Sequence, residues 1–238
     1  MNEKVDSKQG FLENFKEYHK RDFIILPQPN DEKVRKFLTS HDVVFVKVNF
    51  SNKGEGVKRY KSNELLSNPE MLDNILKMEG AMEEAVVQCK EMAALNPDTV
   101  NTLRVCTMVE KDGTIRLFSA ALRIGAKGEA VDNAHHGGIC APIDLNSGIV
   151  TSVANNSNLE KFIFSPGGAV IPGFQIPYWE KVVDAVLSAA TKFPKARFIG
   201  WDVAIREDGP VFIEANNASW GGLFQFDGGK WDYFLRQR

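Results

Sequence analysis

An α+β fold with antiparallel sheets is predicted by three features of the chain. Apolar runs come in pairs around short polar turns: Asn101 to Glu110 with Thr114 to Gly125 about Asp112-Gly113, and Phe198 to Ile205 with Pro210 to Ala215 about Asp208-Gly209. Helical spacing of apolar residues recurs elsewhere, most clearly over Pro177 to Lys192. The 238 residues are 43% hydrophobic and 25% charged, enough to bury the core of one large domain or two small lobes.

The elements follow in order. Phe11, Leu12, Phe15 and Tyr18 fall on one face of a helix over Gln9 to Lys20, with Ser7 as its N-cap. A short apolar run, Phe23 to Leu26, ends at Pro27, and Asp31 to Thr39 forms another brief helix. Asp42 to Phe50 is a strand: Val44, Val46, Val48 and Phe50 line one face, and Lys47 and Asn49 share the other with Val43 and Phe45. Ser51 to Gly56 is a glycine-bearing loop before a second strand at Val57 to Lys61. Glycines let backbone N–H groups close over an anion, and the neighbouring lysine adds charge that phosphate oxygens can use. Ser62 to Glu79 is helical in pattern, with Pro69 at the first turn after Asn68 and Met71, Leu72, Ile75 and Leu76 forming the buried face. Ala81 to Gln88, interrupted by Glu83 and Glu84, reads as a linker between two lobes or as a solvated edge strand.

Arg104 and Arg123 interrupt the two long apolar strands of the second half. A two-residue turn between those strands places the arginines diagonally on one face, and a three-residue turn separates them. Asp132 to Gly138 is a polar turn whose adjacent His135 and His136 lack the further ligands a zinc site needs. Asn155 to Gln175, rich in Asn, Ser, Pro and Gly, has the composition of a binding loop or lid. Pro177 to Lys192 is an amphipathic helix with Pro177 in its first turn.

Bulk properties narrow the partners. With 29 Lys plus Arg against 31 Asp plus Glu, the net charge of -2 leaves no basic footprint for nucleic acid, so a small molecule is the expected partner. Cys89, Cys106 and Cys140 are odd in number and form no CxxC pair, which argues against a disulfide framework and for a reducing compartment. The start lacks an apolar leader and no run is long enough to span a membrane, so a cytoplasmic protein is expected.

Chemistry concentrates in the hairpin Phe198 to Gly222, where Asp202, Glu214 and Asn216 sit among residues built for burial. A two-residue turn at Asp208-Gly209 sends Asp202 and Glu214 to opposite faces. A three-residue turn, Glu207-Asp208-Gly209 with a left-handed Gly209, sets Asp202 opposite Glu214 with Asn216 on the same face. Facing carboxylates repel unless a cation with oxygen ligands lies between them, as Mg²⁺ does. Charges left in water at an exposed hairpin end are the simpler reading.

These residues together resemble the ATP-grasp superfamily, and more narrowly its sugar-transfer-associated family. The resemblance is carried by VFVKVNFSNKGEGV, MEEAVVQCKEMAALNPDTVNTLRV, LRIGAKGEAVDNAHHGGI, GFQIPYWEKVV and GWDVAIREDGPVFIEANNA, spanning roughly Asp42 to Gly222. It implies two α+β lobes whose antiparallel sheets grip a nucleotide: a short helical N-terminal segment over 1–41, a small lid lobe with the glycine loop over 42–88, and a core lobe with the metal-binding hairpin over 89–238. ATP and Mg²⁺ are the implied cofactors. Lys47 would reach the α- and β-phosphates, the loop bearing Gly54 and Gly56 would fold over the triphosphate, and Glu83 and Glu84 would read adenine and ribose. Asp202, Glu214 and Asn216 would bind Mg²⁺, Arg104 and Arg123 would neutralise the transferring phosphoryl group or a substrate carboxylate, and Asn133 with Gly137-Gly138 would lie at the acceptor side.

The implied reaction is that of an ADP-forming carboxylate–amine ligase acting through an acyl phosphate, in polysaccharide or cell-surface biosynthesis. A phosphotransferase and a non-catalytic nucleotide-binding protein are the alternatives. Two departures from the family stand out. About forty residues precede Asp42, too few for the further N-terminal domain such ligases carry, which leaves the acceptor site open or completed by a protein partner. Ala218-Ser219-Trp220 also replaces an expected proline-containing turn.

Overall fold

The computed structural model describes residues 7–29, 31–49, 56–128, 137–217, 229 and 231–237. Gly54, Asn133, the two adjacent histidines and Ala218-Ser219-Trp220 lie outside the described residues. Two compact units divide the chain, Glu3–Val86 and Val87–Arg238.

The smaller unit opens with α1 (Lys8–Asn14), whose first turn is capped by Ser7 Oγ accepting from Gly10 N at 3.0 Å. It continues through α2 (Lys16–His19), β1 (Phe23–Leu26), α3 (Asp31–Ser40), β2 (Val43–Val48), β3 (Val57–Lys61), α4 (Ser62–Leu66), α5 (Pro69–Leu76) and β4 (Gly80–Glu84). The sheet is 4-stranded and antiparallel, in the order β1-β4-β2-β3. Strand alternation decides what each face carries. Ile24, Val44, Val46 and Met82 belong to a core shared with Val34, Phe37, Leu65 and Ile75 from the helices. The alternate positions, Phe23, Phe45, Lys47 and Glu83, point the other way.

Three expectations change in this unit. Ser62 to Glu79 is helical with a second helix starting at Pro69 after Asn68, whose Oδ1 accepts from Met71 N at 3.0 Å, but Met71, expected on the buried face, is 40% exposed. Residues 1–41 do not stand apart as a helical segment, since β1 pairs with β4 inside the same sheet. Glu83 and Glu84 are neither linker nor edge: β4 is flanked by β1 and β2, and the boundary between the units falls after Val86.

The larger unit contains α6 (Lys90–Leu95), β5 (Thr102–Val109), β6 (Ile115–Ile124), β7 (Ile139–Pro142), β8 (Ala154–Asn155), β9 (Lys161–Phe162), α7 (Trp179–Thr191), β10 (Phe198–Arg206), β11 (Gly209–Asn217) and α8 (Trp231–Gln237). Its sheet is 7-stranded, in the order β11-β10-β5-β6-β7-β8-β9. Leu103, Val105, Leu122, Trp201 and Val203 are fully buried, and α7 packs on β5, β6, β10 and β11 through Val182, Val186 and Ala189. Each such side chain contributes roughly 1.5–3 kcal/mol through burial. Cys106, Met108, Phe118 and Phe198 form a second cluster, against which Phe234 of α8 packs.

Pro177 precedes the cap of α7 instead of entering its first turn: the cap is Tyr178, at φ 55°. Trp179 Nε1 donates to Leu145 O at 3.1 Å, and Gly148 leaves the space this indole fills, since an added Cβ would lie 2.3 Å from its ring. The loop-like stretch Asn155 to Gln175 contributes β9 and the Phe164–Val170 bridge, which extend the sheet toward its edge.

Candidate functional site

The turn expected for the β10–β11 hairpin is not the one the chain makes. Arg206 pairs with Gly209 and Ile205 with Pro210, so Glu207 and Asp208 alone form the turn, with Gly209 at φ 123°. Asp202 nevertheless pairs directly with Glu214. The ladder jumps from Val203–Phe212 to Asp202–Glu214, leaving Ile213 as a bulge. Asn216, opposite Gly200, lies two residues further along the same face, and its Nδ2 donates to Glu214 Oε1 at 3.2 Å.

The neighbouring hairpin uses the same device. Glu110 N donates to Thr114 O at 2.9 Å, which leaves Lys111, Asp112 and Gly113 as the turn. By itself this register would separate Arg104 from Arg123. The ladder shifts between Cys106–Ser119 and Thr107–Leu117, with Phe118 as the extra residue, so Arg123 pairs with Thr102 and shares a face with Arg104. Phe118 packs its ring edge-on to Phe198 at 5.2 Å.

These two registers gather the charges. Arg104 is the cross-strand partner of Asp202 on β10. Its Nε donates to Asp202 Oδ1, its Nη2 donates to Oδ2 at 3.0 Å, and Arg123 Nη1 donates to Oδ2 at 2.8 Å. Asp202 is 4% exposed. Burial resists its ionisation, but the Arg104 and Arg123 guanidiniums outweigh this and hold the carboxyl at about 2. Arg104 is itself penalised by burial, yet the Asp202 anion raises its pKa.

An oxygen-only set of two carboxylates and an amide is the donor chemistry a hard divalent cation takes. Asp202 is already paired with Arg104 and Arg123. The set therefore fits Mg²⁺ that arrives with phosphate, whose negative charge the arginines also attract, better than the bare ion.

The smaller unit holds a second buried charge cluster. Glu83 Oε2 accepts from Arg21 Nη2 at 2.7 Å and from Lys47 Nζ at 2.9 Å. Burial raises the Glu83 pKa, but Lys47 and Arg21 together bring it below the ordinary value. His19 Nδ1 accepts from Arg21 N at 3.1 Å, so its Nε2–H donates to Leu12 O at 2.9 Å; burial lowers its pKa and keeps the ring neutral. Arg21 gave no sequence signal, because its partner Glu83 is remote in the chain. Main-chain groups of Glu83 and Glu84 are taken up by both adjoining strands, Glu84 N donating to Asp22 O at 3.1 Å and Ala85 N to Val43 O at 3.2 Å.

Asp22, His41 and Glu84 also converge at the strand ends, His41 Nε2 lying 3.3 Å from Asp22 Oδ2. Cys89, Cys106 and Cys140 are buried thiols. Among the described residues no helix is long and apolar enough to cross a membrane.

Solved structures share this architecture. The ADP complex of an N5-carboxyaminoimidazole ribonucleotide synthetase superposes with a TM-score of 0.58 at 11% identity, covering 94% of this chain and 48% of that one. D-alanyl-alanine synthetase A from Vibrio cholerae O1 biovar eltor gives 0.57 at 11% identity, covering 98% and 63%. The biotin carboxylase domain of 2-oxoglutarate carboxylase from Hydrogenobacter thermophilus, in complex with MgADP, ADP and bicarbonate, gives 0.56 at 15% identity, covering 90% and 40%. The chain thus spans between 40% and 63% of the length of these proteins. No curated protein matches it.

The fold is that of an ATP-grasp protein: α+β, with two antiparallel sheets. Residues 67–230 match the sugar-transfer associated ATP-grasp family, and the chain belongs to it.

Proposed function

We propose that the protein is an ATP- and Mg²⁺-dependent, ADP-forming ligase that activates a carboxylate as an acyl phosphate for attack by an amine or similar nucleophile, in polysaccharide or cell-surface biosynthesis. One observation carries the proposal: in a chain of ATP-grasp fold, Arg104, Arg123, Asp202 and Glu214 converge on one sheet face, cations beside oxygen donors. Phosphoryl transfer needs positioning and charge neutralisation more than a protein nucleophile.

In this reading Lys47 binds the α- and β-phosphates, and the loop bearing Gly54 and Gly56 covers them. Glu83 holds the Lys47 amine between turnovers. Adenine is read by the main chain that follows Ala85, because the N–H groups of Glu84 and Ala85 are engaged in the sheet. Asp202, Glu214 and Asn216 would hold Mg²⁺, which when bound neutralises phosphate charge. Arg104 and Arg123 exchange part of their hold on Asp202 for the transferring phosphoryl group or the substrate carboxylate. Asn133 and Gly137-Gly138 serve the acceptor. Support comes from the family, from ligases among the structures of like fold, and from the ADP and MgADP named for two of them.

Turnover with defined carboxylate and amine panels in the presence of hydroxylamine tests the reaction. ADP release matched by hydroxamate is expected. ADP release without hydroxamate would make the protein a phosphotransferase, and ATP binding without ADP release would make it a non-catalytic nucleotide binder.

A further inference from the structure

The buried Arg21 has no part in the reaction proposed above, yet it shares an acceptor atom with the lysine that the proposal assigns to phosphate. Glu83 Oε2 accepts at once from Arg21 Nη2 and Lys47 Nζ, at 2.7 and 2.9 Å. The Arg21 side chain is 1% exposed, that of Glu83 3% and that of Lys47 12%, so Lys47 forms the outer end of the group. His19 is neutral, held between Leu12 O and Arg21 N. Glu83 thus has two cationic partners on one oxygen.

Two opposing effects meet in this cluster. A lysine paired alone with a buried carboxylate is electrically satisfied, and moving its amine to a phosphate would strand the carboxylate, which costs several kcal/mol. With a second cation on the same oxygen, the carboxylate keeps a partner when the lysine leaves. Lys47, the more exposed of the two cations, is the one placed to meet an anion.

We infer that Arg21 is a positioning residue for nucleotide phosphate: it neutralises Glu83 from the buried side and so frees the Lys47 amine for the anion. The inference rests on the reading that Lys47 contacts ATP. Its consequence is selective, because Arg21 governs affinity for the phosphates and leaves that for the nucleoside alone.

The test measures equilibrium binding of ATP and of adenosine to wild type, Lys47→Ala, Arg21→Gln and Arg21→Lys. Arg21→Gln keeps a hydrogen bond to Glu83 and removes the charge. It should weaken ATP about tenfold with adenosine unchanged, while Arg21→Lys stays within about threefold of wild type. Wild-type ATP affinity in Arg21→Gln, or equal losses for ATP and adenosine, would overturn the inference while leaving the Lys47 reading intact. Wild-type ATP affinity in Lys47→Ala would overturn that reading and the inference with it. Should Arg21→Gln not fold, Arg21→Lys decides: a loss above tenfold for ATP contradicts a role carried by charge.

Discussion

Asp202 stands directly opposite Glu214 in the β10–β11 ladder, and the bulged Ile213 puts it there. With the Glu207-Asp208 turn and no bulge, Asp202 would face Ile213, and Glu214 would turn to the other side of the sheet. Phe118 makes the equivalent correction for Arg104 and Arg123. Two single-residue irregularities therefore assemble one polar face.

Asp202 is the anion at the centre of that face, so its loss should leave two guanidiniums without their shared partner. Asp202→Asn is expected to cost about 3–5 kcal/mol of stability. Replacing Arg104 by Met in the same chain should cost less than the sum of the single changes, by about 1–3 kcal/mol. Chemical denaturation of both single variants and the double variant measures the coupling; strict additivity would contradict the shared role.

Acid should expose the same carboxylate. The Asp202 pKa is depressed from 3.8 to about 2 in the fold, so its contribution is fully present above the unfolded value and is lost as pH falls through the folded one. Glu83 is depressed too and adds in the same direction. Stability should drop by roughly 1.5–2 kcal/mol between about pH 4 and pH 2 on account of Asp202. The Asp202→Asn variant should show a shallower slope over that window, and an identical slope would contradict the assignment.

Gly80 lets β4 approach β2 where Lys47 sits. At φ 157° an added Cβ would lie 2.0 Å from Lys47 O, and neither strand backbone can yield without breaking the ladder. Gly80→Ala should cost about 1–3 kcal/mol or more and weaken ATP binding by displacing Lys47. A thermal melt and a binding titration check it; wild-type behaviour in both would show that the strands tolerate separation there.

Much of this was legible in sequence because strand alternation is a strong signal. It placed Lys47 opposite the apolar face of β2 and put the two carboxylates on adjacent strands. It misjudged the β10–β11 turn because a two-residue turn with one bulge and a three-residue turn without one produce the same facing. Glu83 and Glu84 misled for a different reason: adjacent acids look like a solvated segment unless their neutralising partners are known. Those partners, Arg21 Nη2 for Glu83 and the main-chain N–H of Asp22 for Glu84, lie more than fifty residues upstream.

The arginine pairing of Asp202 predicts an order of ligand binding. Because Asp202 is already held by two guanidiniums, Mg²⁺ alone should show no measurable calorimetric binding at millimolar concentration, whereas Mg²⁺ with ATP should bind. Tight binding of the bare ion would mean that the arginines do not compete for the carboxylates.

The most direct test is Mg²⁺-dependent ATP binding by Glu214→Gln and by Asp202→Asn with Glu214→Gln, each first shown to be folded. The account predicts at least a tenfold loss of affinity in the single variant and a larger one in the double. Affinity and Mg²⁺ dependence equal to wild type in both would contradict the claim that this hairpin holds the metal and its nucleotide.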